Sequence, residues 1–303
     1  AAVFFLLPLV FALFAGRVFC GGVCPLGAAQ DVVLVKAIKV PQWLAHCLGL
    51  LTWIYLGGAV FYVAMDCGFL ICQYDPFVAF FRLGGSNGML AFGAAMLALG
   101  VVIGRPYCRF LCPYGALLRL ISPLAKWRVT VTPTDCVQCK LCEDACPFGE
   151  IRYPTPQDGA IKRREGKSRL AALLIAFPVI LALGAGLGRL SSYQLSRLHP
   201  TVRLAERIYL EDAGKVKGTI KESEAFRKLG LPTADVYRRA LDIEKRFRTG
   251  STFFGGWIGL VVGLKLIGLS IRRKRTDYEA DSAGCVALGV SIAKRVMCPV
   301  AGS

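Results

Sequence analysis

GRVFCGGVCPLGA at residues 16–28 and GRPYCRFLCPYGA at residues 104–116 are two copies of one motif, 88 residues apart. They share the leading Gly-Arg (Gly16-Arg17, Gly104-Arg105), both cysteines (Cys20 and Cys24, Cys108 and Cys112), and the Pro, Gly and Ala that follow. Each copy comes after an apolar stretch and before a segment, 28–40 or 116–127, with apolar residues at helical spacing plus Lys or Arg, the pattern of an interfacial helix. The copies are therefore parallel repeats. An axis along the membrane normal relating them would bring the two cysteine pairs face to face.

The surrounding composition is that of a membrane protein. Of 303 residues 55% are hydrophobic, and the mean hydropathy is +0.52, too apolar for an ordinary soluble domain. Four stretches, 47–65, 83–103, 170–188 and 252–271, approach or reach the roughly 20 residues that cross a bilayer core. A fifth, 1–15, is wholly apolar up to Arg17 and lacks the basic start of a signal peptide, so the chain is expected to open within a helix with further sequence upstream. The predicted fold class is membrane all-α, with about five transmembrane helices and, from the closely spaced cysteines Cys136, Cys139, Cys142 and Cys146, a cytoplasmic ferredoxin-like (α+β) iron–sulfur segment. A net charge of +17 raises nucleic acid as a partner, but the basic residues flank the spans, where orientation and anionic headgroups account for them.

Orientation follows from the short loops. Residues 66–82 carry Asp66, Asp75 and only Arg82, whereas Arg105, Arg109, Lys162, Arg163, Arg164 and Arg272 to Arg275 crowd the opposite flanks. Residues 16–46, 104–169 and 272–303 are thus expected inside, with 66–82 and 189–250 outside. The fourteen Lys and Arg of 189–250 do not reverse this, because loops near 60 residues translocate largely regardless of charge. The expected organisation is a transmembrane domain with the repeats (1–128), a ferredoxin-like segment (129–169), a span (170–188), a helical periplasmic segment (189–250), a last span (251–271) and a tail (272–303). In the last span Gly255, Gly259 and Gly263 form a small-residue packing face.

The strongest chemical signal is Cys136-Val-Gln-Cys139-Lys-Leu-Cys142-Glu-Asp-Ala-Cys146-Pro147, the spacing of bacterial ferredoxins. Three thiolates at two-residue intervals wrap one cubane while the backbone donates N–H groups to its sulfurs. Structural zinc is the competing reading, although zinc sites usually use two separated pairs. A second run starting at Cys285 is broken, since Leu288, Ser291 and Arg295 stand where thiols are needed and Cys298-Pro299 follows. The fourth ligand is therefore either Cys146 or Cys298. Cys20, Cys24, Cys108 and Cys112 are candidate ligands of another cluster at the membrane surface, against the alternative that Cys-Pro merely shapes helix starts eased by Gly27 and Gly115.

Ten of the thirteen cysteines, those named above with Cys285, fall on the reducing side. Cys67 and Cys72 fall on the other, where a disulfide and two separate thiols both fit. His46 and His199 suit structural positions better than paired haem ligation. Serine triad, HExxH and P-loop patterns are missing, and only isolated acids lie near the spans.

The two Cys-x3-Cys-Pro motifs, the ferredoxin run, Tyr74-Asp75-Pro76-Phe77 and Tyr278-Glu279-Ala280-Asp281 together resemble the NosR/NapH-type membrane polyferredoxins, in layout similar to the membrane and C-terminal half of NosR. That resemblance implies paired motifs on the cytoplasmic side and a ferredoxin-like domain for two 4Fe-4S clusters. NosR-like members also carry a flavin-binding periplasmic domain upstream, hence FMN outside the present chain. The departures at Leu288, Ser291 and Arg295 put the second ferredoxin cluster in question, leaving one 4Fe-4S cluster and a further one at the repeat.

The expected function is electron transfer in a bacterial inner membrane, between quinol or a cytoplasmic donor and a flavin or periplasmic reductase. Membrane lipid and redox proteins are the expected partners, in a complex or homo-oligomer, without nucleic acid. Two rivals are redox regulation or metalloenzyme maturation, and a zinc- or thiol-held scaffold.

Overall fold

The computed structural model describes residues 2–68, 87–127, 140–144, 146, 148–155, 163–216, 218–230, 232–271, 275, 278–281 and 283–285. Cys72, Cys136, Cys139, Cys298, the segment 74–77 and the positions 288, 291 and 295 lie outside them. The chain forms two compact units, one from residues 1–56, 75–166 and 271–303, the other from 57–74 and 167–270.

In the first unit, α1 (Ala2–Ala15) leads into α2 (Val18–Gly22) and α3 (Pro25–Val33). Gly16 ends α1 with φ +63, the left-handed conformation that glycine adopts without penalty. The second copy repeats the plan with α5 (Asn87–Gly100), α6 (Pro106–Phe110) and α7 (Pro113–Ile121), after α4 (Gln42–Ala64), whose first part belongs to this unit. Pro25 and Pro113 open α3 and α7, where a missing N–H costs nothing.

The two copies embrace. The helix before one motif packs on the helix after the other, α1 on α7 and α5 on α3. The chain after each amphipathic helix then returns to the end of the other copy's membrane helix: Ile38 N–H donates to Val102 O (2.8 Å), and Trp127 N–H to Phe14 O (2.9 Å). The expected helix over 28–40 stops at Val33 for this reason, since Leu34 turns extended and the amides of Val35 and Lys36 bond to Val101 O. A short antiparallel pair, β1 (Ile151–Arg152) with β2 (Glu279–Ala280), joins the segment after the ferredoxin run to the tail.

The second unit holds α9 (Arg163–Leu190, from residue 167 onward), α10 (Ser192–Ser196), α11 (Pro200–Asp212), α12 (Lys221–Lys228) and α13 (Thr233–Ser270). α9 and α13 meet backbone to backbone. A Cβ on Gly255 would lie 2.2 Å from Gly184 O, and one on Gly188 would lie 2.1 Å from Ser251 O. The small-residue stripe is thus a packing face. Val202, Ala205, Ile208, Phe226, Val236 and Ala240 form a core shared by α11, α12 and the first part of α13.

Among the described residues three helices are long and apolar enough to cross a membrane: Gln42–Ala64, Gly166–Leu190 and Thr233–Ser270. Leu6–Ala15 and Asn87–Gly100 are shorter apolar helices. α13 is longer than the expected span because the charged stretch before it continues the same helix. Its 38 residues at 1.5 Å each reach about 57 Å, nearly twice a bilayer core.

Candidate metal centre

Cys20 and Cys108 lie on the single-turn helices α2 and α6, while Cys24 and Cys112 are the N-cap residues of α3 and α7. Because the copies embrace, all four thiols come within electrostatic reach of one another: Cys108 is influenced by Cys112, Cys20 and Cys24, and Cys112 by Cys20 and Cys24. The remaining candidates are incompletely described. Of the ferredoxin run, Cys142 lies on α8 (Leu141–Asp144) and Cys146 N–H donates to Glu143 O (3.2 Å).

The arginine of each motif reaches into the opposite copy. Arg105 Nη1 donates to Cys20 O (3.0 Å), beside Gly27, while Arg17 Nη2 lies 3.5 Å from where a Cβ of Gly115 would be, beside Cys108 O. Both guanidinium groups are buried. Arg105 is neutralised by Asp31, which accepts its Nε (2.6 Å) and Nη2. Position 119, which matches Asp31, is Arg119, so Arg17 lacks such a carboxylate; it turns instead to Ala283 O (3.4 Å) and Gly284 O (3.5 Å). Its Nε is buried without a hydrogen-bond partner among the described residues.

The electrostatics favour neutral thiols in the protein alone. Burial pushes Cys108 up to about 12, with the neighbouring thiols adding to the rise and the Gln30 amide opposing it. Burial likewise pushes Cys112 up to about 12, opposed by the Gly115 N–H. Cys20 is also raised by burial, but Arg17 and Arg105 pull it back. Thiolates at these positions therefore need a compensating cation.

The ferredoxin segment is tied to the repeat by several contacts. Lys39 Nζ reaches Glu143 Oε1 (2.9 Å), Arg109 pairs with Glu150 (3.3 Å), and the Arg105 guanidinium stacks 5.2 Å from the centre of the Phe148 ring. The turn that carries Cys285, closed by its N–H to Asp281 O (2.8 Å), is the one Arg17 holds. Sequence reasoning found the four cysteines of the repeat but missed Arg17, Arg105, Gln30 and Asp31. The paired Gly-Arg was visible in both copies, and the other two stand at positions where the copies differ in polarity or charge, Gln30 against Leu118 and Asp31 against Arg119.

Comparison with known proteins bears on the same residues. Residues 1–41 and 87–131 match the family described as "4Fe-4S binding domain", a match that takes in both Cys-x3-Cys-Pro motifs. NirI of Paracoccus denitrificans is 34% identical over 152 residues, covering 46% of this chain and 22% of NirI. The regulatory protein NosR of Pseudomonas aeruginosa is 28% identical over 169 residues, 50% of this chain and 22% of NosR. The ferredoxin-type protein NapH of Escherichia coli is 28% identical over 157 residues, 47% of this chain and 51% of NapH. The matched part is thus about half or less of these relatives' length. No solved structure matches.

Long apolar helices, the neighbouring thiols and the 4Fe-4S match together describe a membrane protein with an iron–sulfur binding region. Over about half its length the chain is similar to the NosR/NapH-type membrane polyferredoxins.

The residues fit the cluster that the 4Fe-4S binding domain match implies. The four thiols are near enough to influence one another electrostatically, two buried arginines stand ready to offset anionic sulfur, and two N–H donors already face sulfur: Gly115 N to Cys112 Sγ (3.4 Å) and Gln30 Nε2 to Cys108 Sγ (3.2 Å). Among the described residues no three His, Cys, Asp or Glu side chains are drawn together around a single ion. A cubane asks instead that each thiolate reach a different iron.

Proposed function

We propose that this chain is a membrane electron-transfer subunit that accepts electrons from quinol or a cytoplasmic donor and passes them to a flavin or a periplasmic reductase. The observation that carries this reading is the reciprocal packing of the two motifs, which gathers Cys20, Cys24, Cys108 and Cys112 within the segment matched by the 4Fe-4S binding domain. These four are proposed as ligands of one cluster. Cys136, Cys139 and Cys142 hold a second, with Cys146 or Cys298 completing it, in the ferredoxin-like segment 129–169. A 4Fe–4S cluster supplies a one-electron carrier at either place.

The protein's own groups do the rest. Arg105 fixes the Cys20 carbonyl, Gly27 and Gly115 admit the opposite backbone, and the buried guanidinium groups balance sulfur charge. Lys39, Arg109 and Arg105 dock the ferredoxin-like segment on the repeat. In the proposed topology five helices span a bacterial inner membrane with the cysteines inside, where the basic loops belong.

Anaerobic reconstitution tests the reading. Wild-type protein should bind iron and acid-labile sulfide, show low-temperature EPR signals after reduction, and be reduced by quinol. Cys139→Ser should remove the ferredoxin signal and Cys20→Ser a different one. Protein without iron or labile sulfide ends the proposal. A second reading, redox regulation or enzyme maturation, has in its favour the similarity to the regulatory protein NosR. It predicts intact assembly of a partner enzyme when electron flow through the chain is blocked.

A further inference from the structure

The repeat breaks next to its sulfurs. Gln30 and Asp31 stand where the second copy has Leu118 and Arg119. Gln30 is 0% exposed and its amide is fully engaged: Oε1 accepts from Tyr107 N–H (3.2 Å), and Nε2 donates to Leu26 O (3.0 Å) and Cys108 Sγ (3.2 Å). A backbone N–H only donates and a carbonyl only accepts, so these partners fix the amide with its NH2 toward sulfur. Leu118, also 0% exposed, packs in a cluster with Ala12 and Cys20 and offers no donor.

The arginines complete the asymmetry. Arg17 and Arg105 both act electrostatically on the Cys20 thiol, and Arg105 is in addition held by Asp31. The first cysteine of each motif thus sits in a different setting, with guanidinium charge opposing the rise at Cys20 and a neutral amide donating to the sulfur of Cys108.

We propose that Gln30 is a positioning residue that raises the reduction potential of a cluster held by Cys20, Cys24, Cys108 and Cys112, and makes the two halves of that site electronically unequal. This rests on the reading of those cysteines as ligands. An N–H donor to a ligating sulfur stabilises the more negative, reduced state, so removing it lowers the potential. The step concerned is a one-electron reduction, with dithionite as the electron source, in which no bond is made or broken.

The test uses the full chain, reconstituted anaerobically in detergent and titrated with mediators under EPR, and follows the signal that Cys20→Ser removes. Gln30→Leu installs the residue of the second copy, and Gln30→Met keeps the volume without a donor. In both, iron and sulfide per chain should match wild type, while the reduced-to-oxidised ratio at a fixed poise falls about tenfold, ~59 mV for one electron. The Cys139-dependent signal should not move. An unchanged midpoint at full iron content overturns the tuning role alone, and so does loss of iron from both variants, which would make Gln30 structural. If Cys20→Ser leaves the iron content unchanged, the four-cysteine reading fails and takes this inference with it.

Discussion

Replacing Gly27 by alanine places a methyl group 2.2 Å from the carbonyl oxygen of Cys20, a backbone atom that cannot swing aside. Relief needs a separation of about 1 Å between the start of α3 and the turn of α2, against an overpacking cost of ~1–3 kcal/mol. The same carbonyl accepts a buried hydrogen bond from Arg105 Nη1 at 3.0 Å, and a bond from a charged donor is worth about 1.5–3 kcal/mol. The two costs share one displacement, so about 3 kcal/mol in total is the expectation, roughly a hundredfold in site occupancy at limiting iron. Gly115→Ala should be milder, because its Cβ would stand 3.1 Å from Cys108 O. Gly22→Ala meets nothing within 4 Å on the helix α2 and should be neutral or slightly stabilising. The assay is iron and labile sulfide per chain after anaerobic reconstitution at graded iron, with the amplitude of the Cys20-dependent EPR signal. Wild-type iron binding in Gly27→Ala, or a larger defect in Gly115→Ala than in Gly27→Ala, would refute the close-approach argument.

Other perturbations test separate parts of the molecule. Asp31→Asn strips Arg105 of a carboxylate that holds two of its nitrogens; a double-mutant cycle with Arg105→Gln should give a coupling of about 1–3 kcal/mol in detergent unfolding, and additivity would argue against the pair. Gly255→Ile should separate α9 from α13, since even a Cβ would sit 2.2 Å from Gly184 O, whereas Gly186→Ala meets nothing within 4 Å; thermal melting and protease resistance should rank them in that order. His199 caps α11 by accepting the Thr201 N–H at its Nδ1 (3.2 Å), and burial lowers its pKa below the ordinary histidine value. The unfolded chain therefore binds the proton more readily, and stability should fall as pH drops from about 6.5 toward the lower folded pKa. His199→Asn keeps a capping side chain and should flatten that slope in melts between about pH 5 and 8.

The membrane character, the parallel repeat and the glycine face of α13 were legible because each is a local pattern of hydropathy or identity along the chain. The reciprocity of the repeat was only half legible. Spacing can suggest that two motifs meet, but only tertiary packing says that α1 lies on α7 and α5 on α3. Hydropathy marked 252–271 as a span and left Thr233 to Gly250 to a separate segment, yet charge does not end a helix when neither proline nor a cap intervenes, and α13 runs through. In the opposite sense the helix over 28–40 was overread. Val35, Lys36 and Ile38 find their backbone partners on residues 101–102, about 65 positions along the chain, which no local period records.

What a repeat cannot supply is direction. Two identical halves around four thiols would present the same environment to an incoming and a departing electron, and a relay with distinct donor and acceptor gains from a difference between them. Among the positions where the copies differ, two adjacent ones change the groups that face sulfur and arginine. Asp31 engages Arg105 while Arg119, at the matching place, cannot engage Arg17, so Arg17 is left to hold the carbonyls of Ala283 and Gly284 beside Cys285. Gln30 meanwhile supplies to Cys108 a donor that Leu118 cannot supply to Cys20. One exchange of residues thus links one copy of the motif to the tail and leaves the other facing an amide. Swapping the pair, Gln30-Asp31 for Leu-Arg, would make the copies alike at these positions; the expected result is loss of the Arg17 contact preference along with the fall in potential. Retention of both properties in the swapped chain would place the asymmetry elsewhere.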